Sequence, residues 1–359
     1  PARLASRLEA GGRIKNYFME IRELLQIAVT KKASDLHLVV GLRPILRVDG
    51  ELLEMKEKKA LSGKEMAQAI FSILSEKEKD EFIKTRELDL SYELNNSRFR
   101  VNLHFERNNI GLVARVISEE TPTLKSVGIP EIISNLLNLN QGLILITGPT
   151  GCGKSTTLAA MINYINTTRC SNIITLEDPI EYLFKPDKSI IIQRQLGSDI
   201  LSFASGLKHA LRQDPNVIMV GEMRDLESIA ATITLAETGH LVLATLHTYS
   251  AAQTIDRIID AFPPHQQNQI RMQLSLTLAC VISQRLLPAE KTGRIAAREI
   301  LFNTPAVSNL IRENKIAQIR TVIETSAKDG MVSMDQDLKR LYKEKILTKE
   351  IAQSNMNNP

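Results

Sequence analysis

The run Gly148, Pro149, Thr150, Gly151, Cys152, Gly153, Lys154, Ser155, Thr156 has the clearest chemical capacity in this chain. Its glycines let consecutive backbone amides turn toward one anion, Lys154 brings positive charge, and the Ser155 hydroxyl is a hard oxygen ligand suited to magnesium. Such a loop needs a strand before it and a helix after it. Gly142 to Thr147 is an apolar run of strand length, and Thr156 to Asn166 reads as a helix. The pattern predicts a phosphate cradle in which Gly148, Thr150, Gly151, Cys152, Gly153, Lys154, Ser155 and Thr156 hold ATP and Ser155 ligates Mg2+. Only the backbone amide of Cys152 is needed there, so it is read as a tolerated small residue rather than a reactive thiol.

Hydrolysis also requires groups that hold water and metal on the γ-phosphate side. Ile173 to Glu181 sets Glu177, Asp178 and Glu181 just past an apolar strand, the edge where ligands collect in open α/β sheets. Val217 to Asp225 does the same: Glu222 follows four apolar residues and Gly221, as in a Walker B strand, and is expected to act on magnesium or its water. His240 and His247 bracket Leu241 to Leu246, with His247 better placed to contact the γ-phosphate side. For either histidine, a structural hydrogen-bonding role stays open. His37, His104, His209 and His265 are read as surface or core residues. Asp225 is expected to cap a helix from Leu226 to Thr238, closed by Gly239.

The elements that must position these groups follow from periodicity. A chain of 359 residues is too long for one ordinary core, so two domains are expected. From 16 to 117 the pattern is a helix, a strand, a hairpin turning at Asp49-Gly50, helices from Gly63 to Thr85, then strands Leu88 to Leu94, Arg98 to Phe105 and Ile110 to Ile117. This is an α+β domain with an antiparallel sheet. Residues 118–130, rich in breakers, read as a linker. Beyond them, short apolar runs alternate with helices, which implies a parallel, doubly wound α/β core over 131–359. After Phe262 the strands thin out, and Gln266 to Leu287, Val307 to Arg312 and Ser333 to Lys343 read mostly as helices. Residues 1–15 are set aside as a leader or an expression remnant.

Apolar residues make up 43% and charged residues 24%, a soluble globular composition, and no apolar run approaches bilayer length. With 45 basic against 41 acidic residues, a net charge of +4, no basic cluster and no tryptophan, no direct nucleic-acid partner is expected. The cysteines Cys152, Cys170 and Cys280 form no CxxC pair, which suits a reducing cytoplasm.

From about Asn16 to Lys343 the chain resembles the type IV pilus retraction ATPases, the PilT family of secretion ATPases. The resemblance is carried by ASDLHL, RPILRVDGEL, GPTGCGKSTT, ITLEDPIEY, ALRQDPNVIMVGEMRD, AETGHLVLATLHT, SAAQTIDRIIDAFPPHQQ and ISQRLLP. It implies a RecA-like P-loop ATPase core with an N-terminal PAS-like domain, using ATP and Mg2+. It makes Glu181 the catalytic base, Glu222 the Walker B acid, and His240 and His247 the histidine box. It also implies a cytoplasmic homohexamer at the inner-membrane face, working on a pilus platform protein and peripheral to the membrane at most. Nucleotide would lie where an N-terminal domain meets a neighbouring ATPase domain, which makes Arg98, Arg100 and Arg115 candidates for charge stabilisation; their alternative is solvent-facing strand arginines. Ala306 to Glu313, AVSNLIRE, departs from the family's AIRNLIRE at Val307 and Ser308. The zinc-binding cysteine pairs typical of extension and type II secretion ATPases are absent, which favours retraction over extension or secretion. A DNA-translocating ring and a non-hydrolysing nucleotide switch remain as competitors from other classes.

Overall fold

The computed structural model describes residues 14–48, 50–95, 97–117, 120–291 and 293–356, with side chains from Ile21 onward. The expected leader, 1–15, lies outside the described residues up to position 13. The chain divides into two compact units, Pro1–Glu119 and Glu120–Pro359.

In the first unit, helix α1 (Ile14–Thr30) precedes β1 (Asp35–Leu38), β2 (Ile45–Val48) and β3 (Glu51–Glu54). Helices α2 (Gly63–Phe71) and α3 (Glu76–Thr85) come next, then β4 (Glu87–Leu94), β5 (Ser97–Glu106) and β6 (Asn109–Ile117). Both short helices start at capping boxes, Ser62 with Glu65 and Ser75 with Glu78, as their S-x-x-E spacing dictates. The strands form one antiparallel sheet in the order β3-β2-β1-β6-β5-β4. Leu36, Phe99, Val101, Leu103, Leu112 and Ala114 bury one face in a core shared with Leu24, Leu25, Met66, Ile70 and Phe82. Asp49 of the expected hairpin turn lies outside the described residues; Gly50 has φ +89°, which a side chain would strain.

The second unit holds α4 (Ile132–Leu137), β7 (Gly142–Thr147), α5 (Lys154–Thr168), β8 (Asn172–Glu177), β9 (Ile190–Gln195) and α6 (Phe203–Ala210). Then come β10 (Val217–Val220), α7 (Leu226–Glu237), β11 (Leu241–Leu246), α8 (Ala251–Asp260), α9 (Pro264–Thr277), β12 (Leu278–Pro288) and β13 (Arg294–Phe302). The remaining helices are α10 (Pro305–Arg312), α11 (Ile319–Thr325), α12 (Met334–Lys343) and α13 (Lys349–Asn355). Strand order is β13-β12-β7-β11-β10-β8-β9, parallel except for the β12–β13 pair. Both faces are covered, by one cluster that includes Leu145, Ile218 and Val242 and another that includes Ile146, Met219 and Leu243.

Two features depart from the sequence reading. The helical expectation for Gln266 to Leu287 is corrected from Leu278 onward, where the chain is strand β12. No breaker separates the two elements, and a continuous apolar run does not tell helix from buried strand, although Val281 and Ile282 are β-branched. Within the stretch expected as a linker, Leu124, Val127 and Ile129 pack against the second unit's core. The Arg298 guanidinium donates to the carbonyls of Val127 and Gly128 at 2.5 and 3.0 Å.

Candidate active site

Parallel registers bring the candidate groups together. Leu246 is opposite Thr147, Val220 is opposite Ala244, and Val220 is opposite Leu176, so β7, β11, β10 and β8 end along one edge of the sheet. The loop after β7 begins at Gly148, where a Cβ would meet the Gln284 carbonyl oxygen at 2.3 Å and Cys152 Sγ at 2.6 Å, so only glycine fits. Gly151 and Gly153 have φ of +77° and +88°, and Gly153 is the N-cap of α5. The loop therefore ends on a helix N-terminus whose unpaired amides favour an anion.

Lys154 Nζ donates to the carbonyls of Gly148 and Pro149 at 2.8 and 3.1 Å and lies 3.5 Å from His247 Nδ1. Across the imidazole, His247 Nε2 is 3.2 Å from Glu222 Oε1. Arg224 Nε donates to Glu222 Oε2 at 2.8 Å, and its guanidinium reaches Asp178 at 3.5 Å. Burial draws the Lys154 ammonium below the ordinary lysine value, against the nearby carboxylates of Glu222 and Glu181. One continuous set of contacts thus joins the loop lysine to the carboxylates after β10 and β8. The close approach of β10 to β8 depends on Gly221, where a Cβ would come within 3.0 Å of the Leu176 carbonyl oxygen.

The segment after β8 is held from below. Glu177 is buried, accepts from the Thr175 hydroxyl at 2.6 Å and from Gln193 Nε2 at 3.0 Å, and its ordinary value is raised by burial against those bonds and one from the Glu181 amide. Gln193 also donates to the Tyr182 carbonyl at 2.8 Å, and the Tyr182 hydroxyl is 3.1 Å from Thr156 Oγ1 on α5. The exposed Glu181 therefore stands on a braced segment beside the loop. Asp225 caps α7, accepting from the Ser228 amide.

His240 does not join this group. It precedes β11 at the other end of the strand, where Gly142 N donates to its carbonyl at 3.0 Å and its Nδ1 is 3.0 Å from the Leu235 carbonyl. The strand between the two histidines spans roughly 20 Å, so His240 has a structural place in this chain and only His247 reaches Lys154. Arg98, Arg100 and Arg115 lie on β5 and β6 of the first unit. Arg98 pairs with Glu93 at 3.5 Å, Arg115 Nε donates to Asp35 at 2.9 Å, and Arg100 is exposed opposite Arg115. Sequence reasoning gave no role to Arg224, whose place two residues after Glu222 was the available signal, or to Gln284, which it read inside a helix.

A family model described as "Type II/IV secretion system protein" matches residues 15–355. The chain belongs to that family. Within the secretion-protein family it is similar to the type IV pilus retraction ATPase PilT of Pseudomonas aeruginosa, 43% identical over 95% of this chain and 99% of that one. A twitching motility protein of Neisseria gonorrhoeae is also 43% identical, over 94% of this chain and 91% of its own length. A crystal structure of the pilus retraction motor PilT with bound ADP aligns with a TM-score of 0.89 at 43% identity, covering 94% of this chain and 97% of that one. The second unit is accordingly a RecA-like ATPase core, as these secretion-family relatives share its fold. Among the described residues, no helix is long and apolar enough to cross a membrane.

Proposed function

We infer that the chain is a hexameric ATPase motor that powers retraction of a type IV pilus, hydrolysing ATP to ADP and phosphate as pilin subunits are drawn from the fibre base. The observation that carries this reading is the contact of His247 with both Lys154 and Glu222, in a chain 43% identical to PilT over nearly its whole length. The amides from Gly151 to Ser155 and the Lys154 ammonium receive the phosphates. Glu181 orients a water and takes its proton as the water oxygen bonds to the γ-phosphorus and the bond to the β-phosphate oxygen breaks. Thr150 and Thr156 flank the cradle, and His247 reports the γ-side to Glu222.

Magnesium fits the donors present. Ser155 and Glu222 offer a hydroxyl and a carboxylate, and among the described residues no group of three His, Cys, Asp or Glu could hold a metal alone. An ion held by these two groups would take its remaining ligands from phosphates and water and would supply positive charge against the phosphates. Arg98, Arg100 and Arg115 are proposed to add charge stabilisation from the first unit of a neighbouring copy. The motor would be cytoplasmic, against the inner membrane, with a pilus platform protein as its partner.

The test is complementation of a strain lacking this gene with wild type or with Glu222→Gln. Many surface pili without twitching, rescued only by wild type, are expected. Bald cells would mean extension, and normal motile cells would remove the pilus reading.

A further inference from the structure

Gln284, in the middle of β12, is 1% exposed, yet both ends of its carboxamide are used. Nε2 donates to the Cys152 carbonyl at 2.8 Å, and Oε1 accepts from the Thr157 hydroxyl on α5 at 3.0 Å. A carbonyl can only accept, so the Cys152 contact fixes which end of the amide is nitrogen. The loop also packs on this residue. Gly148 lies against its backbone carbonyl, and a Cβ on Gly153 would come within 3.5 Å of Nε2. One residue from a strand far along the sequence thus meets the loop three times, with its backbone at the first glycine and with its side chain at the cysteine and the last glycine.

The peptide joining Cys152 to Gly153 is planar and trans, so its C=O and N–H point in opposite directions. Drawing the carbonyl onto Gln284 turns the Gly153 N–H the opposite way, away from that side chain. Gly151 and Gly153 both have positive φ, the backbone conformation that turns neighbouring amides to one side in anion-binding loops. Without a donor behind it, the buried Cys152 carbonyl would have to rotate toward another partner and take the Gly153 N–H out of the cradle. Thr157 holds the other end of the amide and ties its orientation to the first turns of α5.

We propose that Gln284 is a positioning residue for phosphate binding: by donating to the Cys152 carbonyl it sets the Cys152–Gly153 peptide plane so that the Gly153 N–H faces the phosphates of a nucleoside di- or triphosphate. This rests on the nucleotide reading of the site. Gln284 itself touches no substrate. It acts through the loop backbone.

Calorimetric titration of the full chain with ADP, and separately with adenosine, tests it. Gln284→Glu keeps the size and the acceptor for Thr157 but sets an oxygen against the Cys152 carbonyl; Gln284→Met keeps the bulk and loses both bonds. Each is expected to weaken ADP about tenfold, the equivalent of about 1.4 kcal/mol, and to leave adenosine unchanged. Thr157→Val removes only the bond from the helix and weakens ADP less. A packing role would lower the melting temperature and shift both ligands by the same factor. Equal factors, or ADP binding as tight as wild type in Gln284→Glu and Gln284→Met, would overturn the assignment. If Gln284→Glu fails to fold, Gln284→Met and Thr157→Val still decide. A wild-type chain that binds no ADP would overturn the nucleotide reading itself, an outcome separate from the variants.

Discussion

Strand β5 of the first unit buries Phe99, Val101 and Leu103 and turns Arg98, Arg100 and Asn102 the other way, whereas β7 and β11 of the second unit are buried along their whole length. The difference is one of coverage. A sheet with helices on one face can display polar groups along the middle of its strands, and here Arg47, Asp35, Arg115 and Arg100 stand side by side across four neighbouring strands. A parallel sheet covered on both faces has no such room, so its chemistry gathers where strands end and loops begin. Lys154, Glu181, Glu222 and His247 all lie beyond strand ends. Charged groups can therefore be altered there without touching the core.

The largest effect is expected at Lys154. Lys154→Ala is expected to cut phosphate release by on the order of a thousandfold, the scale of losing one preorganised charge at a reacting centre, while the urea midpoint stays near wild type. A variant that unfolded as readily as a core mutant would show that the strand-end chemistry is not separable from packing. Leu145→Ala, in the middle of β7 and fully buried, should do the reverse and cost about 2–5 kcal/mol of unfolding free energy. Leu52→Ala on β3, where the side chain is 55% exposed, should change stability by less than about 0.5 kcal/mol.

A smaller effect is expected at Asp35 in the first unit. Burial works against ionisation of Asp35, but the Ser34 hydroxyl and the Arg115 guanidinium prevail and hold its carboxyl below the usual aspartate value. A depressed carboxyl value means the contribution is present above the unfolded value of 3.8 and is lost as pH falls through the lower folded value. Asp35→Asn should therefore lose about 1 kcal/mol at neutral pH, and the deficit should vanish in denaturation curves taken well below the usual aspartate range. An unchanged deficit at low pH would mean that charge is not what Asp35 contributes.

Much of this was open to reading in one dimension. The glycine-lysine-serine loop between an apolar strand and a helix, the carboxylates after strands, the strand from Arg98 to Phe105 and the cap at Asp225 all rest on neighbours within a few residues, where spacing and local backbone chemistry suffice. Three things needed the folded chain. Chain order does not reveal that β11 inserts between β7 and β10, which is what sets His247 between Lys154 and Glu222 and leaves His240 at the far end. An apolar run of uncertain period hid β12, and with it Gln284 beneath the loop. The breaker-rich stretch 118–130 reads as a linker, but Arg298, 170 residues after Gly128, donates to the carbonyls of Val127 and Gly128. In each case the deciding contact joins segments distant in sequence. Local propensity is blind to such pairings because lateral strand order and buried hydrogen bonds are settled only when the whole sheet closes.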